Sequence, residues 1–213
     1  MPPEFPSVSE LTESYETADR FTREVAQFRS AVAVPANNEL RYAGHHLLQA
    51  LDGQKQISKP DELRKAKNHC ERAMYDAAEA GILYAIDEIG RFQDDYNDVV
   101  VSRVVRDYPN IRALAIGAQA TLAQGRGSRA SVQQQTTEYM ELFRQLRDAV
   151  RVLDGSRDDL NAMIDEDRAK EQSESRRFLL QFVVRVAGSL LAAMGLIWTI
   201  WYTLTSGDVA PGS

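Results

Sequence analysis

Three histidines are the side chains of this 213-residue sequence best suited to acid–base or metal chemistry: His45, His46 and His69. A metal site on a helix needs histidines or carboxylates three or four residues apart on one face. His45 and His46 are adjacent, so their side chains point about 100° apart. His69 has Glu62 and Glu71 nearby, but seven and two positions away. The sequence therefore predicts no metal ion, and no other cofactor is indicated.

Two of these histidines follow an arginine by five positions, in the pairs Arg41/His46 and Arg64/His69. This spacing resembles the Arg-x4-6-His motif of the HEPN family of helical bundles, many of whose members are ribonucleases. The resemblance implies that arginine holds a phosphate while histidine acts as acid or base on a phosphodiester. A tyrosine and a lysine replace the polar residue that usually follows the family's arginine. The alternative interpretation is that these histidines cap helices or line helix interfaces.

The sequence contains no recognisable motif for any other catalytic chemistry. The aspartate pairs at 94–95 and 158–159 are typical of solvated or helix-capping residues. The single cysteine, Cys70, excludes an internal disulfide framework and falls on an apolar helical stripe, which favours a packing role. A net charge of −6 disfavours a broad nucleic-acid surface. The sequence thus gives no evident sign of an enzyme.

Apolar residues recur at helical spacing along nearly the whole chain. Ser7 and Glu10 have the capping-box spacing that begins a helix, Pro35 is expected to end that helix, and Asn37 or Asn38 to cap the next. A long helical run from residue 60 to about 107 is expected to break near 93–97. A seam with four–three steps follows: Val132, Thr136, Tyr139, Phe143, Leu146, Val150 and Leu153. The predicted fold is all-α: a helical bundle of five or six helices with coiled-coil-like packing, a helical stalk and a single C-terminal transmembrane helix.

The predicted domain organisation has five parts. Residues 1–6 form an N-terminal tail and 7–164 a cytoplasmic α-helical bundle. Residues 165–185 are a charged stalk and juxtamembrane segment, 186–204 the transmembrane helix, and 205–213 a short non-cytoplasmic tail.

The transmembrane prediction depends on 19 residues without a charge, from 186 to 204. A helix of that length is about 28 Å long, close to the ~30 Å hydrocarbon core of a bilayer. Arginines precede it and aromatic residues lie near its far end, which favours a cytoplasmic body and interfacial anchoring. The expected anchors are Arg176, Arg177, Arg185, Trp198, Trp201 and Tyr202. The sharper alternative for Arg185 is a polar contact inside an oligomer or pore.

Small residues four apart favour close packing between membrane helices, and two such pairs occur here, Gly188/Ala192 and Ser189/Ala193. The sequence therefore predicts a membrane-anchored helical interaction protein at the plasma (inner) membrane, as a scaffold, sensor or oligomeric adaptor. Its expected partners are the lipid bilayer and a protein, which a second copy could provide; a nucleic acid is not favoured. The alternatives are a membrane-perturbing oligomeric effector and a HEPN-like membrane-tethered ribonuclease.

Overall fold

The computed structural model describes residues 6–52, 59–125 and 132–206, and within these ranges the chain is helical and contains no strand. This confirms the all-α prediction. The bounds of the six α-helices, and of a short 3-10 helix that precedes α4, are α1 Val8–Arg29, α2 Val34–Leu51, α3 Lys59–Asp95, the 3-10 helix Val101–Arg103, α4 Tyr108–Gly125, α5 Val132–Gly155 and α6 Arg157–Ser206. The chain forms two compact units, one through Asp158 and one from Asp159 onward.

The start of α1 follows the sequence signal, whereas its end does not. The backbone N–H of Glu10 donates to the Ser7 hydroxyl at 3.2 Å, and the backbone N–H of Ser7 donates to the Glu10 carboxylate at 2.7 Å, which completes the capping box. The helix ends at Ser30, which adopts a left-handed conformation with φ 51°. Pro35 instead lies in the first turn of α2, where its missing N–H leaves no helical bond unmade. The prediction that Pro35 ends α1 was therefore wrong.

The N-terminus of α2 also differs from the prediction. Ala33 is the N-cap residue and makes no side-chain hydrogen bond there, whereas Asn37 and Asn38 lie inside the helix. The break predicted near 93–97 is confirmed, because α3 ends at Asp95. The continuation of that helical run to about 107 was wrong, because turns and the short 3-10 helix lie between α3 and the start of α4 at Tyr108.

The central helix of the first unit is α3, which packs against α1, α2, α4 and α5. Its buried face consists largely of small residues, which let neighbouring backbones approach closely: Ala66, Cys70, Ala73, Ala77, Ala78, Gly81 and Ala85. The predicted seam of α5 packs into this core. Of its members, Thr136, Tyr139, Phe143, Leu146, Val150 and Leu153 are all buried.

One of the closest contacts in this core joins Gly81 of α3 to Phe143 of α5. A Cβ atom added at Gly81 would lie 2.5 Å from Cδ2 of Phe143 and 3.2 Å from Cγ1 of Val25. The Phe143 ring is fully buried and meets the rings of Phe21 and Phe28 edge-on, at 5.7 and 5.6 Å between centroids. The ring has no room to move aside, so this crossing requires glycine at position 81.

The beginning of α6 belongs to the first unit and is held to the end of α3 by Arg157. Its Nη1 lies 2.8 Å from Oδ2 of Asp95, and its guanidinium lies 5.1 Å from the centre of the Phe92 ring. The hydrogen bonds that Arg157 donates, chiefly the one to Asp95, raise the pKa of its guanidinium. Arg157 therefore stays charged and ties the first residue of α6 to the end of α3.

The predicted transmembrane helix over 186–204 lies within α6. Across residues 6–52, 59–125 and 132–206, the structure has no helix that is long and apolar enough to cross a membrane, so this part of the fold prediction is not supported. Many side chains of the segment lie outside the described set, among them those of Gly188, Ala192, Ala193 and Tyr202. The predicted tail also lies largely outside it, since the description ends at residue 206.

The crossing of α3 and α5 gives a prediction on stability. Gly81→Ala should lower the free energy of unfolding by about 1–3 kcal/mol, because the added methyl group overpacks the core against Phe143. Gly90 is the matched control: it lies on the same helix, is exposed, and has no atom within 4 Å of an added Cβ. Gly90→Ala should raise stability by about 0.5–1 kcal/mol through helix propensity alone. Urea denaturation followed by circular dichroism measures both, and equal effects of the two changes would contradict the close contact.

Candidate functional site

Two histidine–glutamate pairs connect α2 to α3. Nδ1 of His46 lies 2.6 Å from Oε2 of Glu62, and Nδ1 of His69 lies 2.7 Å from Oε2 of Glu39. The pairs are reciprocal, since each helix contributes one histidine and one glutamate. A carboxylate can only accept a hydrogen bond, so in each pair Nδ1 carries the hydrogen, and Nε2 of a neutral ring is the acceptor.

The register of the two helices explains why both pairs form. His46 and Glu62 each lie eight positions from residue 54, and Glu39 and His69 each lie fifteen positions from it. Two antiparallel helices rise equally per residue, so positions equidistant from their connection face each other. The α2–α3 hairpin thus brings both pairs together through a single alignment.

The two imidazoles also contact each other, and further side chains complete the cluster. The rings of His46 and His69 are stacked, with centroids 5.1 Å apart and planes 11° from parallel. The ring of Tyr42 tilts against His69 at 5.6 Å. Lys65 Nζ lies 2.8 Å from Oε1 of Glu62, so both oxygens of that carboxylate are paired. Together, six residues form what we call the histidine cluster: Glu39, Tyr42, His46, Glu62, Lys65 and His69.

Glu62 is the most buried ionisable group of the histidine cluster, with 5% of the residue exposed. A buried carboxylate is costly unless it is paired and hydrogen-bonded. The hydrogen bond from Lys65, and after it that from His46, holds the pKa of Glu62 below its usual value. Glu62 therefore stays ionised at neutral pH and anchors the cluster as its fixed negative charge.

The arginines of the two Arg-x4-His motifs point away from the cluster. A separation of five positions places two helical side chains about 140° apart. Accordingly, Arg41 Nη1 donates to Oδ1 of Asn38 at 3.5 Å, and Arg64 Nη2 donates to Oδ1 of Asp61 at 3.0 Å. The structure thus brings together the histidines of the two motifs, whereas the family resemblance implies that each arginine converges with its own histidine.

The cluster does not form a metal centre. Within the described ranges, no group of three or more histidine, cysteine or carboxylate side chains is arranged to hold a metal ion. A shallow pocket of about 310 Å³ lies beside the cluster, and Asn38, Arg41, Tyr42 and His45 line it. The stacked imidazoles are not among these lining residues. The geometry supports a polar connection between α2 and α3 more directly than a reaction on a bound substrate.

Sequence reasoning missed Glu39, Glu62 and Lys65 as partners of the histidines. A metal-ligand spacing relates residues of one helix, whereas each of these pairs joins two helices. A usable signal was present, because α2 and α3 are consecutive helices with a short connection. Aligning them antiparallel about residue 54 places each glutamate opposite a histidine.

The structure describes the side chains of half of the residues predicted as anchors or packing positions of the membrane segment. Arg176, Arg185 and Ser189 are exposed, and the Ser189 hydroxyl donates to the carbonyl oxygen of Arg185 at 2.9 Å. The rings of Trp198 and Trp201 lie 5.6 Å apart. The side chains of Arg177, Gly188, Ala192, Ala193 and Tyr202 lie outside the described set.

No protein-family model, curated protein or solved structure gives a significant match to this chain.

The pKa of Glu62 gives a prediction on pH dependence. A carboxylate whose pKa is lowered on folding adds stability above its unfolded pKa and loses it as the pH falls through the folded value. Glu62→Gln should therefore cost about 1–2 kcal/mol at pH 7 and clearly less at about pH 3. Glu16→Gln, at an exposed position of α1, should change stability by under about 0.5 kcal/mol. Urea denaturation at both pH values tests this, and a pH-independent cost of Glu62→Gln would show that the ionised carboxylate contributes nothing.

Proposed function

We propose that this chain is a membrane-attached helical interaction protein. The observation that carries the proposal is a group of large apolar side chains in α6 that are each more than half exposed: Met194, Leu196, Ile197, Trp198, Ile200 and Trp201. Exposed apolar surface of this extent marks a binding or membrane surface.

These side chains cover more than one face of the helix. Successive residues turn by about 100°, so Leu196, Ile197 and Trp198 alone extend over about 200° of the circumference. An ordinary surface helix buries one apolar stripe about 100° wide. A single neighbouring helix would leave much of this surface in water, whereas a lipid environment covers it all.

The sequence around these residues fits a bilayer. Positions 186–204 contain no charged residue, and a helix of that length matches the ~30 Å hydrocarbon core. Arg176, Arg177 and Arg185 precede the segment, and Asp208 is the only charge after it. The finer proposal is therefore a single crossing with the helical body on the cytoplasmic side. It rests on the sequence and on the exposure of the described side chains.

The interaction role belongs to the helical body and to the membrane helix. Lipid tails provide little hydrophobic force between helices, so association there requires close backbone contact. The small residues Gly188/Ala192 and Ser189/Ala193 suit that contact, and a second copy is the partner that we propose for this face. The body then brings its own helical surfaces to the membrane.

Membrane attachment is testable by a matched pair of substitutions. Leu196→Arg places a charge near the middle of the apolar segment, which costs at least about 2.5–3.5 kcal/mol in lipid. Leu83→Arg makes the same change at a half-exposed position of α3. Wild type and Leu83→Arg should remain with membranes after alkaline carbonate extraction, whereas Leu196→Arg should be largely released. Release of the wild-type chain would contradict attachment.

Two further measurements separate the finer alternatives. If the helix crosses, a tag added after Ser213 should resist protease in sealed vesicles that expose the body. Digestion of that tag, with retention in membranes, would show a helix lying on the surface. Leakage of a trapped dye on addition of the protein would favour the membrane-perturbing effector over an interaction protein.

A further inference from the structure

We propose that the outer face of α2 is a docking site for anionic phospholipid headgroups. The outer face comprises the pocket residues Asn38, Arg41, Tyr42 and His45, with the apolar residues Val34 and Leu48 beside them. The inference rests on the proposed membrane attachment, which would keep the chain at a lipid surface.

The pocket residues form one stripe of hydrogen-bond donors. They lie at positions i, i+3, i+4 and i+7, which share a side of the helix, and they line the depression of about 310 Å³. They offer an amide, a guanidinium, a phenolic hydroxyl and an imidazole. The bond from Arg41 to Asn38, at 3.5 Å, is at the upper limit for a hydrogen bond and uses one of five guanidinium N–H groups. Such a stripe suits a phosphate group, which guanidinium binds in a bidentate manner.

Negative charge is scarce on this face. The described residues that line the pocket include no carboxylate, whereas a depression on α1 of about 660 Å³ is lined by Glu16 and Glu24 together with arginines. The only acid within α2 is Glu39, which pairs with His69 at the interface with α3. Asp52, at the C-cap, is on the same side of the helix as His45 but about two turns beyond it, past the end of the pocket. In a chain with net charge −6, this face is therefore the kind that an anionic surface attracts.

Apolar side chains flank the donors and remain uncovered in the described structure. Val34 and Leu48 are 62% and 68% exposed, and Tyr42 is 53% exposed. Donors for the headgroup layer and apolar groups for the boundary of the acyl chains are the two parts of an interfacial helix. The docking of lipid would therefore explain the exposure of Val34 and Leu48 as well as the donor pocket.

A second copy fits this face less well than lipid does. Across a two-fold axis, Arg41 would face its own counterpart, and no acid among the pocket residues would balance the two positive charges. An anionic headgroup supplies the missing charge. Attachment through α6 would also make docking intramolecular, so that a weak contact suffices.

The test places an environment-sensitive dye on the full chain at Leu48→Cys or, as control, at Ile116→Cys, an equally exposed apolar position of α4. Native Cys70 does not interfere, because it is fully buried and burial raises the pKa of its thiol to about 11. The chain is reconstituted in vesicles of phosphatidylcholine alone or with phosphatidylglycerol, and headgroup-labelled lipids quench the dye. We expect quenching at position 48 with phosphatidylglycerol, and little at position 116.

Two charge reversals make the test specific. Arg41→Glu should lower the ratio of quenched to unquenched dye at position 48 by about tenfold or more, because each cation near an anionic surface contributes about fivefold. Arg112→Glu makes the same change at an exposed position of α4 and should leave that ratio within about twofold. Equal effects of the two reversals would overturn the site in favour of a general charge effect.

The remaining outcomes are also decisive. Stable reconstitution without quenching at position 48 overturns the docking site and leaves membrane attachment intact, whereas failure to reconstitute overturns both. Inorganic phosphate is added to the phosphatidylcholine vesicles as a separate arm. If phosphate changes the signal of the dye at position 48 as phosphatidylglycerol does, the pocket binds free phosphate and the lipid assignment is wrong.

Discussion

The small-residue face of α3 is the constraint on which the first unit depends. Helices approach closely only where their side chains are short, and this face consists largely of alanine, cysteine and glycine. Because α3 packs against α1, α2, α4 and α5, its geometry sets the positions of all four. Gly81 is one point of close approach, since the fully buried ring of Phe143 occupies the space that any side chain there would need.

The histidine cluster depends on the same closeness. Ala43 and Ala66 are buried in the core between α2 and α3, together with Leu40 and Leu63. Close contact between these helices lets short side chains such as histidine and glutamate reach across and bond at 2.6–2.7 Å. Buried polar pairs add less stability than apolar packing of the same size. Their contribution here is alignment: a slip of α2 along α3 would break both pairs and leave Glu62 with Lys65 of its own helix as its remaining partner.

Much of the fold was predictable because the evidence for it is local. The stripe of α5 follows from the spacing of its apolar residues, and the start of α1 follows from Ser7 and Glu10. The end of α1 was not predictable in this way, because Ser30 takes a left-handed conformation that its residue type rarely adopts. The need for glycine at position 81 was hidden for another reason: it arises from Phe143, 62 residues away in sequence.

The histidine pairs show the same limit of sequence reasoning. Nothing within α2 marks Glu39 as a partner for a histidine, since the partner lies thirty residues away on another helix. The Arg-x4-His spacings pair residues of one helix, yet a separation of five positions turns their side chains about 140° apart. Only the alignment of two helices reveals which residues meet.

The charges and the exposed side chains of the protein connect the two proposed membrane contacts, which are made by α6 and by the outer face of α2. An acidic chain should be repelled by an anionic surface, and α6 offers apolar area without cations in 186–204 to offset that repulsion. The pairing of Glu39 with His69 changes the balance locally, because it turns the only acid of α2 inward and leaves Arg41 and His45 on the outer face. The histidine cluster therefore has a consequence beyond joining two helices. By holding Glu39 at the interface with α3, it also determines which charges of α2 a lipid surface would meet.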